Sequence, residues 1–201
     1  MLSMVKFTQA FVLLAMLGTA LRAAEPAPVA HGATDGQWRH YGGDGASTKY
    51  SSLDQINAGN ASKVKVAWNW ESPDIELKKK NRALNTFTYE VTPLAVNGTL
   101  YTSTSFSQVA AIDGRTGKTL WVFNPDVVKT GRPTNLGYVH RGVAYWAGDG
   151  QERVYIAAHD GYLYAIDAKT GKLDESFGEA GRVNLAKAIP LAGNAPHYPK
   201  A

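Results

Sequence analysis

Residues 107–121 read SQVAAIDGRTGKTLW, and residues 161–175 read GYLYAIDAKTGKLDE. The pattern AID-x-x-TGK thus returns 54 residues later without a gap. The match is wider than the motif. Tyr101 pairs with Tyr155 and Phe123 with Phe177, while Ala111, Ile112, Asp113, Thr116, Gly117 and Lys118 recur as Ala165, Ile166, Asp167, Thr170, Gly171 and Lys172. A fixed period with preserved turn chemistry marks a repeat architecture. Each unit would be a small antiparallel sheet that cannot bury both faces alone, and stacking such sheets around an axis gives an all-β propeller. On this reading Asp113 accepts N–H bonds from the turn that Thr116 and Gly117 make. Trp121 offers a large flat ring to lay across the neighbouring sheet. The second copy carries Glu175 at that position, so its docking must be weaker or different.

The flanking sequence fits the same fold. After Gly36 short β-branched or alternating runs are separated by turn residues. In PLAVNGTLYTSTS (93–105), Asn97-Gly98 supplies the positive φ angles of a type I′ hairpin turn. The second copy repeats the plan as RVYIAAH, Asp160-Gly161 and YLYAID. Residues 51–70 allow one short helical turn before a strand at Val64–Trp70. No amphipathic helix is expected beyond the N-terminal region, and the run Lys78-Lys79-Lys80 reads as a solvated loop.

Composition narrows the function classes. The 201 residues are 44% hydrophobic and carry no cysteine, which excludes thiolate metal sites, disulfides and covalent c-type haem within them. The net charge is +4, and without Lys6 and Arg22 it rests on 19 basic against 17 acidic residues. That is too mild for a nucleic-acid partner, and no basic stripe is interleaved with stacking aromatics. Lys6 followed by FTQAFVLLAMLGTAL and the small residues of RAAEPAPVA reads as an export signal over residues 1–24. The alternative is an uncleaved anchor, with the protein membrane-associated. Residues 25–36 then form a flexible lead-in, and residues 37–201 the folded part. Export to the periplasm is the expectation, with the mature chain starting between about Leu21 and Gly32.

The motif A-x-D-x-x-T-G-x-x-x-W resembles the tryptophan-docking repeat of the eight-bladed pyrroloquinoline quinone (PQQ) dehydrogenases. WRHYGGDGASTKYSSLDQI (38–56), VAWNWESPD (66–74), YEVTPLAVNGTLYTST (89–104), HRGVAYW (140–146) and SFGEAGRVNL (176–185) resemble further segments of that family, in order. The resemblance implies a periplasmic quinoprotein with PQQ and Ca²⁺ at the propeller axis. It would oxidise a sugar or alcohol and pass electrons to a quinone or cytochrome acceptor. It implies that Glu90 bonds the polar edge of the cofactor and that Arg141 contacts the quinone oxygens. His140 is set aside as structural.

Two departures shape the expectation. Asn135 and Leu136 stand where the alcohol-oxidising branch has paired cysteines, which favours the glucose-dehydrogenase-like branch. The family's catalytic base and calcium ligands fall beyond residue 201, so no catalytic or metal residue is assigned here. There is sequence for about three blades, which reads as an N-terminal fragment, inactive alone. Two other classes compete. A non-enzymatic envelope scaffold reuses such docking repeats but has no need of YEVTP and HRGVAYW. A carbohydrate-binding β domain would carry its aromatics in loops.

Overall fold

The structure, a computed structural model, describes residues 33, 35–86, 88–133 and 137–188. The expected signal, most of the lead-in, and Asn135 and Leu136 lie outside the described residues. Two four-stranded antiparallel sheets follow one another along the chain. The first contains β1 (Leu94–Val96), β2 (Thr99–Ser103), β3 (Val109–Asp113) and β4 (Thr119–Phe123), in that spatial order. The second contains β5 (Ala144–Gly148), β6 (Gln151–Ala157), β7 (Tyr162–Asp167) and β8 (Arg182–Asn184), again in order. The repeat read from sequence is a repeat of pairing. Tyr101 faces Ala111 and Leu100 faces Ile112, and Tyr155 faces Ala165 and Val154 faces Ile166 in the second sheet. Asn97 and Gly98 adopt φ of 49° and 78° between β1 and β2, as the hairpin requires.

The AID-x-x-TGK motif performs the same local job twice. Asp113 Oδ1 accepts from the Thr116 amide at 2.7 Å and the Thr116 hydroxyl at 2.9 Å. Asp167 Oδ1 accepts from the Thr170 amide at 2.7 Å and its hydroxyl at 2.6 Å. These bonds, led by that of the Thr116 side chain, hold the Asp113 carboxyl below its ordinary pKa. The turn ends in Gly117 and Gly171, both at positive φ.

What the turn presents is a flat patch for an indole. Trp121 of β4 donates its Nε1–H to the Ala168 carbonyl at 3.1 Å and lies against Gly171. Trp68 donates to the Gly114 carbonyl at 3.2 Å and lies against Gly117 in the same way. The motif therefore recurs because each copy receives a tryptophan from the segment before it. Trp121→Phe loses the N–H bond and part of the ring surface that covers Gly171. The expected cost in urea unfolding is at least about 1 kcal/mol, the usual net worth of the hydrogen bond alone.

Both sheets share one core. Leu94, Val96, Tyr101, Val109 and Ala111 of the first pack in a single cluster with Val154, Ile156, Tyr164 and Ile166 of the second. The Tyr101 ring stacks on Tyr145 at 6.1 Å, and its hydroxyl donates to the Ala168 carbonyl at 3.2 Å. Successive sheets packed face to face in this way are blades of a propeller.

Several local expectations change. Two complete blades are present among the described residues. The Val64–Trp70 stretch, expected as a strand, follows a 3-10 turn at Ala61–Lys63 but pairs with no strand among the described residues. Its order comes from the docking of Trp68 and from Trp70 Nε1, which donates to Thr119 Oγ1 at 2.9 Å. A helix, α1 (Asp74–Lys80), stands where none was expected, and the lysine run is its last turn rather than a loop. Acidic Asp74 and Glu76 in its first turn and the three lysines in its last complement the helix dipole. Phe177, paired in sequence with Phe123, lies outside a strand. After a single bridge at Leu173 the chain leaves the sheet, and β8 completes the blade instead. Asp174 anchors this excursion by accepting from Ser176 and Arg153. Glu175, at the Trp121 position, is exposed on it.

Candidate functional site

The two residues expected at the cofactor, Glu90 and Arg141, sit on the segments that lead into the first strand of each blade. These segments run side by side, joined by a parallel bridge between Thr86 and Tyr138. That neighbourhood brings Arg141 Nη1 within 2.8 Å of Glu90 Oε2, although the residues are 51 positions apart in the chain. The second carboxylate oxygen of Glu90 accepts from the Thr88 hydroxyl at 3.1 Å. The Arg141 side chain remains 76% exposed, so its charge is offered outward rather than consumed by the pair. An exposed pair of this kind contributes little to stability. Its value is an oriented cation and anion at one spot.

Arg141 of the pair lines an open cleft of about 510 Å³. Tyr41, Thr92, His140, Arg141, Tyr155 and Leu163 line it, over a floor that includes Val143, Ala144 and Ala157. A flat apolar floor beside one fixed guanidinium suits a planar ligand whose oxygens carry negative charge.

His140 is not a lone structural histidine. Its Nδ1 lies 3.2 Å from the Gly142 amide and 2.8 Å from Ser103 Oγ, and its Nε2 lies 3.0 Å from the Ala157 carbonyl. The amide can only donate and the carbonyl can only accept, so the ring is held neutral with the proton on Nε2. Its ring meets that of His159 edge to face at 5.9 Å. His159 repeats the arrangement, with Nε2 at 2.9 Å from the Val139 carbonyl and Nδ1 at 2.6 Å from Ser107 Oγ. Burial is the largest cause that pushes both histidines below their ordinary pKa. His159, Ser103 and Ser107 escaped notice in the sequence. The available signal was a second histidine, His159, beside the Asp160-Gly161 turn, where the first copy has Ser105.

The loop between β2 and β3 supports these segments from below. Ser103 to Gln108 are all buried, an unusual run for a polar turn. Ser105 Oγ donates to the Thr88 carbonyl at 3.3 Å, and the Tyr89 hydroxyl lies 3.0 Å from Thr102 Oγ1. Asp74 at the start of α1 satisfies the loop from outside. It accepts from Thr104 Oγ1 at 2.6 Å, Gln108 Nε2 at 2.8 Å and the Phe106 amide at 3.2 Å. Among the described residues no group of three His, Asp or Glu side chains converges to hold a metal.

Residues 38–200 match the family described as PQQ: Glucose/ethanol/alcohol dehydrogenase, beta-propeller domain. The chain belongs to this family. The dehydrogenase subunit of the quinone-dependent alcohol dehydrogenase of Gluconobacter oxydans is 38% identical over 162 residues, covering 78% of this chain and 18% of that protein. The quinoprotein glucose dehydrogenase of Escherichia coli is 33% identical over 187 residues, covering 86% of this chain and 22% of that protein. The crystal structure of the quinohemoprotein alcohol dehydrogenase from Comamonas testosteroni superposes with a TM-score of 0.57 at 38% identity, over 74% of this chain and 19% of that one. The chain spans about a fifth of the length of the curated relatives it matches. Relatives of this PQQ propeller include enzymes named for alcohols and for glucose, so the family is wider than the glucose-like branch favoured by Asn135 and Leu136.

Arg141 offers a cation, its partner Glu90 a carboxylate acceptor, and the cleft beside Arg141 an apolar surface; such a set would suit one edge of a planar quinone such as PQQ.

Proposed function

We propose that these blades form part of the cofactor-binding propeller of a periplasmic quinoprotein dehydrogenase that oxidises an alcohol or sugar hydroxyl. The observation that carries this reading is the 2.8 Å pair of Glu90 and Arg141, whose arginine lines an open cleft. Support comes from relatives named as quinone-dependent alcohol and glucose dehydrogenases. PQQ, when bound, accepts the two electrons and hydrogen that leave the substrate carbon. Arg141 holds positive charge where its oxygens become negative, which favours the reduced form and the transition state leading to it. Glu90 would bond the polar edge of the cofactor beside Arg141 and, through its ion pair, orient the guanidinium as well. Thr88 fixes Glu90 in turn. A Ca²⁺ ion suits the same cofactor, being a hard cation that prefers quinone and carboxylate oxygens. The acceptor of the electrons is a quinone or a cytochrome, as in the enzymes these relatives are named for. A scaffold propeller would have no use for a solvent-facing ion pair at this spot, 51 residues apart in the chain.

Arg141→Lys and Glu90→Gln test the assignment in the full-length polypeptide. Arg141→Lys keeps the charge but loses the planar fork. Turnover at saturating PQQ should fall on the order of 10², the cost of losing one preorganised donor. Glu90→Gln should mainly weaken PQQ binding, read by titration. Neither should alter melting much, since the pair is exposed. Normal turnover of saturated Arg141→Lys would remove Arg141 from the site.

A further inference from the structure

The strap over residues 137–143 carries Arg141 through the seam between the blades, and its fastenings are largely side chains. Among the described residues its backbone meets the flanking structure in one bridge, Thr86 to Tyr138. Its side chains add the Arg141–Glu90 pair, a Tyr138 hydroxyl bond to the Gly131 carbonyl at 3.0 Å, and the ties made by two imidazoles. His159 reaches in from the β6–β7 turn and donates Nε2–H to the Val139 carbonyl at 2.9 Å. His140 reaches out from the strap and donates Nε2–H to the Ala157 carbonyl at 3.0 Å, at the end of β6. Its Nδ1 receives the Gly142 amide at 3.2 Å, so the residues on either side of Arg141 are locked by one ring. The first blade supplies the remaining partner of each ring, Ser103 for His140 and Ser107 for His159.

Ser107 gives an independent sign that this arrangement is selected. It is fully buried with φ 57°, at the repeat position where the second blade uses Gly161 with φ 82°. A left-handed conformation costs a residue with a Cβ roughly 1–2 kcal/mol. Glycine would avoid that strain but would remove the hydroxyl that orients His159. Backbone strain retained beside a site points to a role for the strained residue.

We propose that His140 and His159 are positioning residues for Arg141: oriented by Ser103 and Ser107, they clamp the strap to both blades and set the direction in which the guanidinium meets the cofactor. This rests on the reading of the Glu90–Arg141 cleft as a PQQ site. The His140 tie works only with that ring neutral, because a proton on its Nδ1 would oppose the Gly142 amide, whereas Nδ1 of His159 faces a hydroxyl that can also accept. The groups around the rings agree with neutrality. Arg141 is next to His140, the second ring is 5.9 Å away, and burial disfavours charge on either ring. Opposing this, Asp160 beside His159 favours its charge, but its carboxylate is engaged by the Tyr164 hydroxyl at 2.5 Å. Tyr138 meets His159 only through its ring, edge to face, and Glu90 is taken by Arg141. Both folded pKa values lie below the unfolded one. The clamp is therefore complete above the unfolded value of about 6.5 and is lost as pH falls through the lower folded values.

The test combines amide hydrogen exchange over 137–143 with PQQ titration, on the full-length polypeptide. His140→Phe keeps a ring and loses its bonds to Ser103, Gly142 and Ala157, and His140→Gln restores a donor toward Ala157. His140→Phe should speed strap exchange and weaken PQQ binding, each by about tenfold, the equivalent of one hydrogen bond. Exchange in β2, β3, β6 and β7 should not change, and His140→Gln should recover part of both losses. In the wild type the strap should open further below pH 6.5, after correction for intrinsic exchange; in the His140→Phe, His159→Phe double variant that pH dependence should vanish. Unchanged strap exchange, equal loosening of the strands, or faster exchange with wild-type PQQ affinity would each overturn the proposal. Arg141→Ala separates the two readings. If it binds PQQ as wild type does, the cofactor reading fails even where the strap behaves as described.

Discussion

Gly171→Val breaks the contact between the two blades, with an expected loss of about 2–5 kcal/mol in urea unfolding, the sum of left-handed strain and overpacking against a rigid ring. A Cβ at this position would lie 2.6 Å from the Trp121 ring, and the residue sits at φ 72°. The ring cannot withdraw, because its Nε1–H is bonded to the Ala168 carbonyl and its face lies beside Tyr101 at 5.9 Å. Gly161 provides the control. It has a similar backbone, φ 82°, but open space where its Cβ would be. Gly161→Val should show the backbone share alone, about 1–2 kcal/mol. The difference between the two variants measures the docking contact. Equal losses would mean that Trp121 docking adds nothing to the cohesion of the blades. Gly117→Val should behave as Gly171→Val does, since its Cβ would lie 2.6 Å from Trp68.

Asp74→Ala is expected to cost about 3–5 kcal/mol, because it strips the partner from donors on the buried residues Thr104, Phe106 and Gln108. Its carboxylate receives a hydroxyl, a side-chain amide and a backbone N–H, all from the buried β2–β3 loop. Removal relieves the desolvation of one charge but leaves three donors unmet, each worth about 1–3 kcal/mol when buried. Asp74→Asn keeps the shape and turns a donor toward donors, so its loss should be intermediate. Thermal melting of the three proteins measures the ranking. An Asp74→Ala protein that melts as wild type does would show that the loop satisfies itself. The consequence extends to the site, since the same loop carries Ser103 and Ser107 to the two histidines. Asp74→Ala should therefore also loosen the strap at Arg141, whereas Gly117→Val should act chiefly on the far side of the blade.

The contrast between these residues shows why some features were legible and others were not. The motif AID-x-x-TGK announces itself because Asp113, Thr116 and Gly117 act on one another within four positions. Asn97-Gly98 is legible for the same reason: two adjacent residues with the right φ preference define a hairpin. Glu90 and Arg141 were found through the family resemblance, and nothing in their local sequence foretold that they would pair. The helix α1 was missed because seven residues with three consecutive lysines carry little periodic signal. It is held by Asp74, whose partners lie 30 to 34 positions away.

The sequence by itself determined the repeat, its hairpins, the turns that end their strands and the family that carries them. These depend on backbone preferences and on contacts between near neighbours, which survive in any context. The tertiary structure alone decided which surfaces those turns present to one another. It laid Trp68 and Trp121 on two glycines, and set His140 and His159 against serines 37 and 52 positions away. It also made an ion pair of Glu90 and Arg141. Such contacts exist only once two blades have packed, because burial between the sheets is what brings distant side chains within bonding distance and removes the water that would otherwise serve them.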